Sequence, residues 1–356
     1  MALTLQGTVS DNTVVLDRRT AKPLIINGDM AIAQRGTSSA GITGTGYFTI
    51  DRMKTLLSDN GTWTHTQDTD VPTGEGFAKS WKMDNTTADT SVAAAAFHTA
   101  SYLWEGQDLQ LLKKGTSSAE KVTVSFWIKT TVTGTYIAEL YDADNTRSIS
   151  QAYTVSSSNT WEKKVLSFAG DTTGALDNDN ANSLILNLWL GAGSNYTSGT
   201  LATSWGAVTA ANRAVGQVNG ASSTSNNIYI TGLQMEIGEL DTGSIAAFQH
   251  ETFAENKTRC QRYFIGDSEL VPTAQATGAT VIQGLPQFRT EMRAAPTATH
   301  VATGGFGLVG GSFTTTSIAT TTLGVSGGRY VINIDTSIST LQLVQCGMPV
   351  TLDAEL

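Results

Sequence analysis

The side chains able to do chemistry in this 356-residue chain fall into three groups. All seven tryptophans lie between Trp63 and Trp205. Four carboxylates stand at alternate positions in two loops, Asp142 and Asp144 in "YDADNT" and Asp177 and Asp179 in "LDNDNAN". The four histidines, His65, His98, His250 and His300, are scattered. An indole can cover the apolar face of a sugar while nearby polar groups orient its hydroxyls. Trp127 stands among Thr123, Ser125 and Lys129, opposite Val124 and Phe126, and Trp189, Tyr196 and Trp205 lie at or near the loop "GAGSNYTSGTLATSW". These four are the sugar-platform candidates, against the competing reading that sandwich cores contain tryptophan. The alternating aspartates partly resemble a calcium loop. The next alternate position in the second stretch is Ala181, however, and neither loop has the mid-loop Gly and distal Glu of an EF-hand, so Asx-rich turns compete with a Ca²⁺ site. No Gly-x-Ser-x-Gly, HExxH or phosphate-binding Gly-rich loop is present, and no histidine stands in a triad motif, so the expectation is a protein that is not an enzyme. His250 reads as a packed residue at a helix entry rather than a base.

The elements that position these residues are mostly strands. "KVTVSFWIKT" alternates Val122, Val124, Phe126 and Ile128 with Thr123, Ser125, Trp127 and Lys129, the pattern of a half-buried antiparallel strand. "GTYIAELYD", "WEKKVLSF", "SLILNLWLGA" and "NNIYITGLQMEIG" continue it, separated by Gly, Asn and Asp clusters. Many short strands at this spacing predict a jelly-roll-like sandwich. The domain reading is an extended arm over 1–25, a sandwich over 26–238, a linker with a short helix over 239–265, and a smaller β domain over 266–356. Thr252 and Glu255 predict a capping box, in which hydroxyl and carboxylate satisfy orphan backbone N–H groups. Phe253, Cys260 and Phe264 form a narrow apolar stripe on the predicted helix, too short to be stable without a packing partner.

Composition narrows the classes further. Charged residues are only 15% of the chain, below the usual figure of about 25%, and Thr and Ser supply the polarity, which suits half-buried strands. With 22 basic against 31 acidic residues the net charge is −9, which disfavours binding to a nucleic-acid backbone. No signal peptide is expected in "MALTLQGTVS", and the apolar run Ala93–Ala96 is far too short to span a bilayer. The two cysteines, Cys260 and Cys346, have no metal-ligand spacing and are expected as unpaired thiols, with one bridge still open.

"NGDMAIAQRG" followed by "GYFTIDRM", then "LQMEIGELDTGSIAAFQHETFAENKTRCQRYF", "FRTEMRAAPTATHV" and the terminal "LDAEL", taken together and in order, resemble bacteriophage tail-fibre and virion appendage proteins. Gln249 in "AAFQHETF" departs from that pattern, where relatives more often carry Glu. Residues 55–225 carry no motif of the family, only a sandwich pattern like that of carbohydrate-binding modules. The resemblance implies a virion structural protein that assembles as a homotrimer. The arm would dock on other virion proteins, Phe253, Cys260 and Phe264 would face a subunit interface, against the competing reading of a helix lying on its own sandwich, and the task would be recognition of host-surface polysaccharide. The alternative is a purely structural head fibre, decoration or tail-adaptor subunit without a glycan ligand.

Overall fold

The computed structural model describes residues 22–266, 273–278, 281–284, 288–300, 306–308, 311–313, 315–334, 343–345 and 350–356. Residues 1–21 of the expected arm, with its candidate strand at Thr13–Leu16, and Cys346 lie outside the described residues.

Two antiparallel sheets form the predicted sandwich. The first contains β1 (Ser38–Ile42), β4 (Thr62–Asp68), β5 (Ser80–Thr87), β7 (Val122–Thr130), β10 (Glu162–Phe168) and β13 (Asn227–Ile237), in the order β1-β4-β5-β13-β7-β10. The second contains β2 (Gly46–Tyr47), β3 (Met53–Ser58), β6 (Phe97–Glu105), β8 (Gly134–Asp142), β9 (Arg147–Val155), β11 (Asn182–Ala192) and β12 (Gly206–Ala207), in the order β12-β9-β8-β11-β6-β3-β2. Side-chain alternation decides which faces meet. Val124, Phe126 and Ile128 from β7, Ile228 and Ile230 from β13, and Trp63 and Met83 from β4 and β5 face Tyr102, Leu140, Leu186 and Leu188 across the core. Each of these side chains is fully or almost fully buried, a burial that stabilises by about 1.5–3 kcal/mol per large apolar residue. Ile25, at the inner end of the expected arm, belongs to the same core.

The outer faces differ. The seven-stranded sheet is covered by the segment after β11. Arg213 donates to both oxygens of the fully buried Glu139 at 2.7 and 2.8 Å, and its guanidinium lies 5.2 Å from the Trp189 ring and 5.1 Å from Tyr141. The six-stranded sheet is covered only in part. Gln234 donates to the Ala246 carbonyl and Thr231 to the Lys79 carbonyl, so residues 239–252 and the β4–β5 connection close over one end. The polar face predicted for β7 is therefore itself buried at Thr123 and Ser125, and stays open only from Trp127 onward. Gln249, at the departure from the family pattern, donates to the buried Glu236 at 3.1 Å. An acid there would set two carboxylates against each other.

The helix spans Phe253–Gln261, with Thr252 as its N-cap accepting from the Glu255 N–H. It packs on its own chain. Cys260 is a free, fully buried thiol in a cluster with Ile26, Ile32 and Tyr263, and burial pushes it well above the ordinary thiol range. Phe264 lies beyond the helix end, in the strand Phe264–Ile265 that pairs with Val350–Asp353, whose other partner is Thr297–His300. The expectation that Cys260 and Phe264 face another subunit is thus corrected, because the chain supplies their packing partners. Phe253 alone of the three is exposed, at 64%. A five-stranded sheet and a two-stranded hairpin complete the described strands. No helix among the described residues is long and apolar enough to cross a membrane.

Candidate functional site

The stretches that carried the family resemblance converge on one buried junction. Asn27 bonds the Ile32 and Asp51 backbones, tying "NGDMAIAQRG" to "GYFTIDRM". Arg52, fully buried, pairs with Glu355, donates to the Leu103 carbonyl at 2.7 Å and stacks 3.5 Å from the Tyr263 ring. Arg35 reaches Glu355 at 3.4 Å and Asp353 at 3.0 Å, and lies 3.6 Å from the Phe264 ring. Arg262 and Tyr263 both donate to Glu105. Arg293 donates to the Ala354 and Glu355 carbonyls. Burial raises the Asp51 carboxyl to about 6, although Gln34 donates to it twice and Arg35 lies nearby. The charges here are spent on one another and on backbone, so these motifs hold the chain together.

The tryptophans separate into core and surface. Trp63, Trp81, Trp104 and Trp189 are buried. Trp189 packs with Ile137, Ala214 and Tyr196, so the expectation that it offers a sugar face is corrected: the segment carrying Arg213 already covers it. Tyr196 is half-buried against Trp189 and Phe97. Trp205 packs on the main core, donates to the Ala169 carbonyl at 2.7 Å and has the Lys114 ammonium 5.2 Å from its ring, beside the edge strand β12. It therefore does not share a sheet with Trp127.

Trp127 finds a different companion, Trp161, which the sequence places only at a strand start. Lys163 in β10 stands directly opposite Trp127 in β7, and Trp161 lies two residues before it. Trp127 thus stands beside Lys163, and continuing the register one step past the paired residues sets Trp161 towards Lys129, with which it shares the Asp70 carboxylate. The two indoles are diagonal neighbours, roughly 7–8 Å apart at the backbone. Both are half-buried, so each keeps part of a face open. Both are also held. Trp161 donates its indole N–H to Asp70 at 3.0 Å and meets Tyr229 edge-on, with centroids 6.1 Å apart. Asp70 pairs with Lys129, and the Lys129 and Lys82 ammoniums lie 5.0 and 5.5 Å from the Tyr229 ring. Burial pushes the Asp70 carboxyl up, but the hydrogen bonds from Lys129 and Trp161 outweigh it and hold the group below its usual range. Trp127 rests by Phe77 over a bulge in β13. Gly232 there has φ +63°, and a Cβ in its place would come 2.6 Å from Phe77 and 3.1 Å from Trp127. Only glycine leaves room for both rings.

The other candidates do not gather into a site. Asp142 is buried in a pair with Lys114, while Asp144 and Asp179 accept from the backbone N–H groups of Asp177 and Ala181. Asp142 also accepts from the Asn145 N–H, so Asp142 and Asp179 serve as Asx-type turn acceptors and Asp144 bridges to the other loop, while Asp177 takes part through its backbone N–H. No cluster of three or more metal-ligating side chains occurs among the described residues. His65 and His98 are core residues, and burial lowers His65 to about 3. His250 is exposed, against Phe77 and Phe248.

No family model and no curated protein matches this chain. Several solved structures resemble it weakly. The enzymatically active domain of tailspike protein 4 from bacteriophage CBA120 is 16% identical over 60% of this chain and 21% of that one, with a TM-score of 0.30. The family 11 carbohydrate-binding module of a Clostridium thermocellum cellulosomal cellulase is 11% identical over 56% of this chain and 98% of that one, with a TM-score of 0.26. The N-terminal modules of C. thermocellum endo-1,4-β-D-xylanase 10B are 10% identical over 58% and 30%, with a TM-score of 0.29. The chain thus spans about a fifth of the tailspike domain it matches. Scores of this size assign neither a family nor a ligand.

Proposed function

We propose that this protein is a glycan-binding virion appendage, without catalysis of its own, that recognises polysaccharide through the open outer face of its six-stranded sheet. The observation that carries the reading is the pair of partly buried indoles, Trp127 and Trp161, set as diagonal neighbours on the outer side of the six-stranded sheet. Neighbouring aromatic rings that keep part of a face open on a sheet can cover the apolar faces of sugars. Trp161 is fixed in advance by Asp70 and Tyr229, so little of its freedom is lost when a ligand stacks on it. Each stack contributes about 1 kcal/mol, by analogy with aromatic pairing, and firm attachment then requires several copies. Assembly as a trimer supplies them, with exposed Phe253 as an apolar contact in place of Cys260 and Phe264. The virion role rests on the ordered family-like stretches, and the N-terminal arm is the segment proposed to dock on other virion proteins.

Replacing Trp127 and Trp161 together with Ala tests the reading. The variant is expected to fold and to lose retention on host-cell polysaccharide by tenfold or more. Unchanged retention by the folded double variant would favour the purely structural virion subunit, for which the four buried tryptophans are sufficient explanation.

A further inference from the structure

The open face carries a second chemical signature besides its indoles. Its cations stand in register with them, while the chain as a whole has a net charge of −9. Lys163 is directly opposite Trp127 and has no ion-pair or hydrogen-bond partner among the described residues. Lys129 follows Trp127 by two positions on the same face, and its partner Asp70 is itself 38% exposed. Lys82 lies across Tyr229 from Lys129. A lysine on an edge strand also discourages strand pairing, but that role does not require an indole opposite it. An indole beside a free ammonium can hold one sugar ring in two ways, the ring face on the indole and a ring substituent on the cation.

We infer that the ligand of this face is an anionic polysaccharide, with sugar rings stacked on Trp127 and Trp161 and a carboxylate paired with Lys163. The inference rests on the glycan reading above and narrows its ligand class. Lys163 supplies the charge that is not already neutralised within the protein. Lys129 serves chiefly through Asp70, which fixes the Trp161 indole. A carboxylate entering beside Lys163 meets an ammonium at a half-exposed position, where the attraction is screened by salt.

The full-length protein would be passed over immobilised polygalacturonate, alginate, hyaluronate and polysialate, and over the carboxyl-reduced, neutral form of each. The expected result is retention on at least one acidic polymer. Carboxyl reduction should weaken that retention at least tenfold, 0.5 M NaCl should weaken it similarly, and Lys163→Met should weaken it several-fold without altering the melting temperature. Lys163→Arg should restore it. Preference for a neutral polymer, with binding indifferent to salt and to Lys163→Met, would overturn the anionic inference and leave the glycan reading standing. Failure of the folded protein to bind any polymer, acidic or neutral, would count against both.

Discussion

Glu355→Gln should destabilise the sandwich more than any exposed substitution, although it lies at the far end of the chain from the strands it secures. Arg52 is wholly buried, and Glu355 is the one carboxylate paired with it among the described residues. The amide of the variant would keep an acceptor for one guanidinium N–H but remove the compensating charge. Breaking a buried pair from one side costs about 3–5 kcal/mol, because the remaining charge is left uncompensated. For a unit of 150–250 residues that corresponds to a fall in melting temperature of roughly 6–20 °C. Arg52→Met acts differently, because Glu355 keeps Arg35 at 3.4 Å while the Met side chain fills part of the space beside Tyr263. The double variant should therefore be more stable than the sum of the single effects implies, by about 0.5–3 kcal/mol of coupling. Urea unfolding followed by tryptophan fluorescence reads all three variants against the parent. A Glu355→Gln cost under about 1 kcal/mol, or strict additivity, would refute the claim that this junction is a working buried pair.

Two other expectations follow from the same geometry. His65 is held neutral by burial, with a folded value of about 3 against about 6.5 unfolded, so between those values the unfolded chain binds the extra proton and stability falls as pH falls. Asp51 acts in the opposite sense, since its folded value of about 6 makes the folded state the better proton binder between about 4 and 6. Asp51→Asn should thus steepen the acid loss of stability in that window and His65→Gln should flatten it, each by up to about 1.4 kcal/mol per pH unit, as read by denaturant midpoints from pH 4 to 7. Phe253→Asp should leave the fold intact, because the side chain is 64% exposed, yet shift the sedimenting species from trimer towards monomer. A parent protein that already sediments as a monomer would contradict the proposed assembly.

What was legible in the sequence follows from which interactions are local. Strand alternation put Val124, Phe126 and Ile128 on one face and Trp127 and Lys129 on the other, and the core takes the first set as expected. The capping box was legible for the same reason, since Thr252 and Glu255 meet within one turn. Alternation does not say which strands become neighbours. Trp161 faces Trp127 across a diagonal only because β10 pairs with β7, and "WEKK" alone gives no sign of that pairing beyond an aromatic and a lysine two apart. Nor does it say what covers a second face: Trp189 reads as a surface candidate until Arg213, 24 positions later, closes over it. The helix stripe failed through extension. The helix ends at Gln261, so Phe264 belongs to a strand, and Cys260 is buried by Ile26 and Ile32 from the opposite end of the sandwich sequence. The family-like motifs were visible as text, but their convergence on Arg52 and Glu355 depends on contacts across some 300 positions.

Oxidative footprinting of the tryptophans, with and without a retained polysaccharide, addresses the recognition face directly. The buried Trp63, Trp81, Trp104 and Trp189 serve as internal references that should react slowly in both states. Ligand should protect Trp127 and Trp161 together and leave Trp205 and Tyr196 unchanged. Protection confined to Trp205 or Tyr196, with Trp127 and Trp161 reacting as in the free protein, would contradict recognition through the six-stranded sheet.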